Sequence, residues 1–266
     1  MRLQVLGTAA GGGVPQWNCA CPGCTGARAN PGWRRRHASI AVQREDGCVL
    51  VNATPDVADQ IAECAWFAPG RGIAPRVVLT DAELDHTIGL LRLREAAALE
   101  VFSTPEVRRA LHPFATLLRP YTTLTWHDLD DAIPLSDKRP RYARQDPPAP
   151  GWVSAARFRE GSRSVVYAPA MGVWSPLIED ADCVIVDGTF WDDEEPRRTG
   201  ISTRTATEMG HLPIEATMKR LARLPGRCLY THLNNTNPLV DPAAEQHQVL
   251  AELGLEVAAD GMVIEL

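Results

Sequence analysis

The chain has 266 residues, of which 45% are hydrophobic and 23% are charged, a composition typical of a globular protein large enough for one core or two small ones. Its net charge of −6 argues against a general nucleic-acid binder. No apolar run approaches the about 18 residues that a membrane span needs, and the N-terminus begins as a strand without the apolar region of a signal peptide, so we expect a cytoplasmic protein.

Short apolar runs recur along the chain and predict β-strands. These runs are Leu3–Leu6, Ser39–Val42, Val49–Asn52, Val77–Leu79, Val101–Phe102, Ser164–Tyr167, Cys183–Val186, Cys228–Thr231 and Val263–Leu266. Helical patterns fall between several of them. Two begin at Thr54-Pro55 and Thr104-Pro105, a capping residue before a proline, and a third runs from Pro213. Mixed elements without a linker predict a single layered α/β domain over residues 1–266.

Two segments are predicted as turns or loops. Asp260-Gly261 lies between two apolar runs and resembles a tight or bulged hairpin turn. Pro134–Gly151 is rich in proline and charge, which predicts a mobile loop that cannot form a central strand. The basic residues of this loop, which we expect to steer an acidic peptide, are Lys138, Arg139, Arg141 and Arg144.

The chain contains seven cysteines, an odd number that argues against a disulfide framework. Four are scattered in strand or helix patterns and are predicted to be buried thiols: Cys48, Cys64, Cys183 and Cys228. Cys19, Cys21 and Cys24 instead lie within six residues, a spacing that lets the sulfurs converge on one zinc ion. A fourth ligand must then come from elsewhere, and three unrelated thiols are the alternative.

Clustered ionisable residues follow the predicted strand Val77–Leu79. They are Asp81, Glu83, Asp85 and His86. Carboxylates and an imidazole at a strand end suit a first-row divalent metal, whereas the alternative is a solvated acidic turn.

Three further polar residues stand at the ends of other elements. Asp187 and His232 each follow a predicted strand, and His211 precedes the helix at Pro213. Because α/β folds place ligands at one edge of the sheet, we expect these side chains to meet there.

Specific motifs spread over nearly the whole chain resemble one known family. They are Leu6–Cys21, Asn52–Asp56, Leu79–Asp81 with Asp85-His86, Tyr167–Pro169, Val186–Thr189, Met209–Pro213, His232–Pro238 and Asp260–Met262. The family that they resemble is the pyrroloquinoline quinone (PQQ) synthesis protein B family, within the metallo-β-lactamase superfamily. The resemblance implies an αββα sandwich with a metal at one edge of the paired sheets.

The usual signature of that superfamily is H-x-H-x-D-H. Asp81 and Glu83 stand where its first two histidines would be, whereas Asp85 and His86 keep its last two positions. The resemblance implies that Asp85 and His86 hold one metal together with a late histidine, which here matches His232. It also implies that the second metal site of the superfamily is damaged.

The resemblance further implies an iron(II)-dependent hydroxylase that uses dioxygen on a tyrosine-derived or other aromatic amino-acid-derived precursor, small or peptide-linked. Two imidazoles and one carboxylate with open positions agree with non-haem iron(II) chemistry. Asp187, His211, Asp81 and Glu83 are the candidate catalytic or supporting residues. Two alternatives stay open: a hydrolase of the phosphodiesterase type, and a carrier or accessory protein that binds PQQ or its precursor without chemistry.

Two features depart from the patterns of related proteins. In a related phosphodiesterase family the fourth ligand of the structural zinc lies three residues after the last active-site histidine, and here that position is Asn235, a poor zinc ligand. The chain also looks shorter than the family around Pro134–Gly151. We therefore expect a more open cleft, unless a second subunit closes it in a homodimer.

Overall fold

The computed structural model describes residues 1–45, 47–67, 76–137 and 139–266. Two β-sheets pack face to face, and helices cover both outer faces, so the predicted αββα layering is observed. The strands are β1 (Arg2–Gly7), β2 (Ser39–Arg44), β3 (Gly47–Val51), β4 (Arg76–Val78), β5 (Ala98–Ser103), β6 (Thr123–Asp128), β7 (Ile133–Pro134), β8 (Ser154–Glu160), β9 (Arg163–Ala168), β10 (Cys183–Asp187), β11 (Arg227–Thr231), β12 (Glu256–Val257) and β13 (Val263–Glu265).

Short helices connect these strands. They are α1 (Pro22–Ala29), α2 (Val57–Glu63), α3 (Leu84–Thr87), α4 (Pro105–Ala110), α5 (His112–Leu118), α6 (Glu195–Arg198), α7 (Ala206–Met209), α8 (Ile214–Leu221) and α9 (Gln246–Glu252). Among the described residues, no helix is long and apolar enough to cross a membrane.

The two sheets have matching pairing patterns. The first has the strand order β13-β1-β2-β3-β4-β5-β6 and the second β12-β11-β10-β9-β8-β7. Antiparallel pairs join β13, β1, β2 and β3 in the first sheet and β7, β8 and β9 in the second, and the pairs that follow are parallel. Because parallel strands point the same way, the residues that follow β4, β10 and β11 emerge at the carboxyl edges of the sheets.

The apolar core follows from the alternation of side chains along each strand. In β10, Cys183 and Ile185 face the other sheet, whereas Val184 and Val186 face the outer layer with Ile214 of α8. The inter-sheet layer contains residues of both halves of the chain, so the two sheets share one core.

The predicted hairpin at Asp260-Gly261 is wrong. β12 pairs with β11 in the second sheet, but β13 pairs with β1 in the first, so the turn carries the chain from one sheet to the other. The Asp260 carboxylate accepts hydrogen bonds from the Thr8 hydroxyl, at 2.6 Å, and from the Arg36 backbone N–H, at 2.7 Å. These long-range contacts fix the crossing, and a local turn motif cannot reveal them.

Some predicted boundaries also differ. α4 begins after Thr104, whose hydroxyl accepts the Val107 N–H as predicted. α2 begins at Val57 rather than at Pro55, because the Thr54 hydroxyl bonds to Gln60 instead of capping the helix. The strands β6, β7, β8 and β12 and the helices α1, α5, α6, α7 and α9 were not predicted.

The segment Pro134–Gly151 has more structure than the predicted loop. Its first residue ends β7, a two-residue strand at the edge of the second sheet, and Arg141–Ala143 forms a 3-10 turn. Tyr142 packs edge-on against the fully buried ring of Trp152 and donates its hydroxyl to the Trp152 carbonyl. Lys138 lies outside the described residues.

Glu195 is a buried carboxylate at the first residue of α6 and is 1% exposed. It accepts the Trp191 backbone N–H at 2.6 Å and the Thr236 hydroxyl at 2.7 Å. Burial raises the pKa of Glu195 from 4.5 to about 7. The native protein therefore holds a proton that the unfolded chain releases between these two pH values.

This shift gives a pH-dependent stability difference between the wild type and Glu195→Gln. As the pH rises from 4.5 to about 7, the unfolded wild type ionises first, so its free energy of unfolding falls relative to the variant, by about 3 kcal/mol in total. Above pH 7 the difference should level off. Urea unfolding of both proteins from pH 4 to pH 9 tests this, and a difference that does not change with pH contradicts the assigned pKa.

Candidate metal centre and catalytic cleft

The predicted metal ligands come together from both sheets. Asp85 and His86 lie in α3, which follows β4, and His232 directly follows β11. One side-chain oxygen or nitrogen of each lies within 4.8 Å of the others. His232 has a left-handed backbone, with a φ of 61°, and such strain in a non-glycine residue is concentrated at functional sites.

His86 is held in one orientation by Asp81. Its Nδ1–H donates to Asp81 Oδ2 at 2.7 Å, and that carboxylate also accepts the Thr80 hydroxyl and the Glu83 backbone N–H. His86 Nε2 is buried, and no described residue hydrogen-bonds to it. Asp81 therefore acts as a positioning residue that turns the free Nε2 of His86 toward Asp85.

Thr189 fixes the orientation of His232 in a similar way. The Thr189 hydroxyl donates its proton to Asp187 Oδ1 at 2.6 Å, so it accepts the Nδ1–H of His232 at 2.8 Å. His232 Nε2 consequently presents a lone pair, and it lies 3.3 Å from Asp85 Oδ2.

Three atoms that can ligate a metal thus converge: His86 Nε2, His232 Nε2 and Asp85 Oδ2. Burial lowers the pKa of His86, but Asp81 and Asp85 outweigh this and raise it to about 9. The surroundings therefore favour a positive charge at this point. An orphaned buried nitrogen beside a second imidazole and a carboxylate fits a divalent metal ion.

A second histidine–carboxylate pair lies beside this centre. His211 Nδ1–H donates to Asp187 Oδ2 at 2.7 Å, and Asp187 also accepts the backbone N–H groups of Met171 and Thr189. Burial lowers the pKa of His211, but Asp187 reverses this and gives a net upward shift. Asp187, His211 and His232 also lie within 4.8 Å of one another, but they meet through hydrogen-bonded atoms, so this group is a proton network and not a second metal site.

Asp81 and Glu83, which stand where the superfamily has two histidines, do not rebuild its second metal site. Asp81 is fully buried and both of its oxygens are hydrogen-bonded. Glu83 is left as a single carboxylate beside the cleft, where burial, followed by the charges of Asp81 and Asp85, raises its pKa to about 7. The centre therefore offers ligands for one metal.

A cavity of about 420 Å³ opens over the centre. Its floor is acidic, while four arginines lie around it. Three come from the segment Pro134–Gly151 and one from the loop before α7: Arg139, Arg141, Arg144 and Arg204. The shortened segment thus forms one wall of the cleft.

The cysteine cluster is a separate site. Cys19, Cys21 and Cys24 bring their sulfurs within 4.8 Å of one another, a spacing that fits a tetrahedral zinc ion. The Asn235 amide lies at the fourth corner, with Nδ2 3.2 Å from Cys19 Sγ and 3.3 Å from Cys21 Sγ. An amide N–H cannot ligate zinc, so Asn235 would ligate only with its amide turned over to present oxygen. Of the other thiols, three are buried and Cys48 is half-buried.

Thr189 is the site residue that sequence reasoning missed. It links Asp187 to His232 and approaches His211 Nδ1 at 3.1 Å. The motif Val186–Thr189 contained it, but only the three-dimensional contacts show which histidines its hydroxyl orients.

Known proteins resemble the chain over its whole length. Residues 48–233 match the β-lactamase superfamily domain. Coenzyme PQQ synthesis protein B of Azoarcus sp. (strain BH72) is 40% identical over 306 residues, covering 100% of both chains. The protein of the same name from Klebsiella pneumoniae (strain 342) is 37% identical over 303 residues, covering 100% of this chain and 98% of that one.

Solved structures are similar to the chain as well. The crystal structure of Zn²⁺-bound PqqB from Methylobacterium extorquens is 27% identical, with a TM-score of 0.88 and full coverage of both chains. A diphosphatase of the PhnP family, 18% identical with a TM-score of 0.68, shares the fold over 100% of this chain and 97% of that one. The chain therefore has the metallo-β-lactamase fold and belongs to the coenzyme PQQ synthesis protein B family.

Proposed function

We propose that the chain is an iron(II)-dependent oxygenase that hydroxylates an aromatic amino-acid-derived precursor during PQQ synthesis. The observation that carries this proposal is the convergence of His86 Nε2, His232 Nε2 and Asp85 Oδ2 on one point. Two imidazoles and one carboxylate leave coordination positions open for a substrate and dioxygen. The names of the relatives support the pathway, and the Zn²⁺ of the Methylobacterium extorquens protein supports a divalent metal in this family.

The proposed chemistry divides between the metal and the residues of the chain. A bound iron(II) would supply the activation of dioxygen. His211 has its Nδ1–H fixed on Asp187, so its Nε2 is the atom that exchanges a proton with the substrate. Glu83, whose pKa is about 7, holds or accepts a second proton beside the cleft. Asp81 and Thr189 keep the two metal-binding imidazoles in the required orientation.

The metal assignment is tested by paired histidine variants. We expect His86→Ala and His232→Ala to lose the metal of the cleft together with turnover, because each removes one of three ligands. His211→Ala should keep that metal but slow turnover by about 10²-fold or more, the usual contribution of general acid–base catalysis. Metal analysis of anaerobically purified protein, combined with oxygen-consumption assays, measures both effects. Stoichiometric iron in the cleft of His232→Ala would argue against the assignment.

The same measurements separate the alternatives. A phosphodiesterase-type hydrolase would hold two zinc ions in the cleft and cleave esters, whereas Asp81 and Glu83 offer no second site of that kind. A carrier or accessory protein would bind PQQ or its precursor without turnover. We favour the oxygenase because both imidazole orientations are fixed for a single metal with open positions.

We further propose that the substrate is an aromatic residue on a larger acidic scaffold. Arg139, Arg141, Arg144 and Arg204 all line the cleft. Arginine is suited to carboxylate groups because its donors form a fixed planar fork.

Kinetics on matched substrates test this. We expect a higher kcat/KM for tyrosine within an acidic peptide than for free tyrosine, and a smaller preference in the double variant Arg141→Ser/Arg144→Ser. Arg223→Ser, which removes an exposed arginine that does not line the cleft, is the control. Equal or better turnover of the free amino acid would reject the proposal.

We also propose that the cysteine cluster holds a structural zinc independent of the cleft. Cys21 is the N-cap of α1, and its sulfur accepts the Cys24 N–H, so a metal here would fasten the first loop to the segment after β11. Cys21→Ser should lose about one zinc per chain and melt at a lower temperature. Zinc analysis and thermal melting check this, with the buried Cys183→Ser as the control that keeps its zinc. Unchanged zinc content in Cys21→Ser would contradict the site.

A further inference from the structure

A chain of hydrogen bonds runs from buried Glu195 to the wall of the cleft. Glu195 Oε1 accepts the Thr236 hydroxyl at 2.7 Å, and Thr236 Oγ1 lies 2.6 Å from Asn234 Nδ2. Asn234 stands two residues after His232 and lines the same cavity. No step of the proposed chemistry uses these three residues.

The direction of each hydrogen bond follows from the groups at the buried end, where the Glu195 carboxylate accepts. The Trp191 backbone N–H can only donate, and it donates to Glu195 Oε2 at 2.6 Å. The single hydroxyl proton of Thr236 points at the carboxylate, so Thr236 Oγ1 must accept from Asn234. The amide of Asn234 is thereby oriented, with Nδ2 turned inward and Oδ1 left for the cleft.

We propose that Asn234 is a specificity-determining residue, presenting its Oδ1 as a fixed acceptor to a hydroxyl of the substrate, and that Glu195 sets this polarity through Thr236. The proposal rests on the proposed function, since it takes the phenolic hydroxyl of a tyrosine-derived substrate as the donor. A site built to accept a hydrogen bond rejects an analogue that lacks the donor, because the acceptor is then buried without a partner.

The substitution Glu195→Gln should invert the relay. The new amide must accept the Trp191 N–H with its oxygen, so its nitrogen donates to Thr236. The Thr236 hydroxyl then donates to Asn234 Oδ1, and Asn234 turns its Nδ2 toward the cleft. The inversion requires no change in size or position of any side chain, which separates it from a general loss of structure.

The charge state of Glu195 decides the pH at which binding is compared. Burial raises the pKa of Glu195 to about 7; the bonds from Thr236 and Trp191 oppose this shift, Asp192 adds to it and Arg198 opposes it. At pH 8 the carboxylate form predominates, so binding is compared there.

The experiment uses two probes, N-acetyltyrosinamide and its O-methyl ether, bound to the metal-loaded protein at pH 8 and followed by calorimetry. The wild type should prefer the phenol by about 10-fold, the effect of one hydrogen bond to a buried acceptor. Asn234→Ala should remove the preference, and so should Glu195→Gln, because the oxygens of both probes can accept a hydrogen bond from Nδ2. Glu194→Gln, which removes a charge from the adjacent exposed position, should keep it.

The orientation of the Asn234 amide is also measured without a ligand. In protein labelled with ¹⁵N-asparagine, the side-chain amide protons of Asn234 should lie near Thr236 in the wild type and away from it in Glu195→Gln. Equal probe preference in all variants, no binding of either probe to the wild type, or an unchanged amide orientation in Glu195→Gln would overturn the proposal. If the wild type prefers the phenol but shows no turnover, that result would instead count against the proposed oxygenase activity.

Discussion

The fixed orientation of three imidazoles is the constraint on which the site depends. In each, Nδ1–H is committed to an acceptor: Asp81 for His86, Thr189 for His232 and Asp187 for His211. Each of these hydrogen bonds leaves the opposite ring nitrogen, Nε2, available to a ligand or a proton. The acceptors are buried and hydrogen-bonded in turn, so ring rotation would leave several polar groups without partners.

The fold supplies these acceptors at matching places in the two sheets. Asp81 follows β4 in the parallel part of the first sheet, and Asp187 ends β10 in the parallel part of the second. A threonine lies next to or near each carboxylate and donates its hydroxyl to it, Thr80 to Asp81 and Thr189 to Asp187. The same local device therefore orients His86 on one side of the cleft and His211 on the other.

Much of the fold and the centre could be predicted from the sequence, because apolar runs and short motifs are local features of the chain. The strands ending before Asp81, Asp187 and His232 were predicted in this way, and Asp85, His86 and His232, which the structure brings together, were predicted as one set. The crossing at Asp260 could not be predicted, because its partners Thr8 and Arg36 are more than 200 positions away. The partner that orients each imidazole was also hidden, since no local pattern shows that His86 donates to Asp81 and His232 to Thr189.

The origin of the metal ligands has a mechanical consequence. Asp85 and His86 belong to the half of the chain that builds the first sheet, and His232 to the half that builds the second. An ion bound between them is a clamp across the interface of the two sheets, and its binding energy adds to the cohesion of the layers. The rigidity of the whole sandwich would then depend on the supply of that metal, so that a shortage of it would leave the two layers less firmly joined.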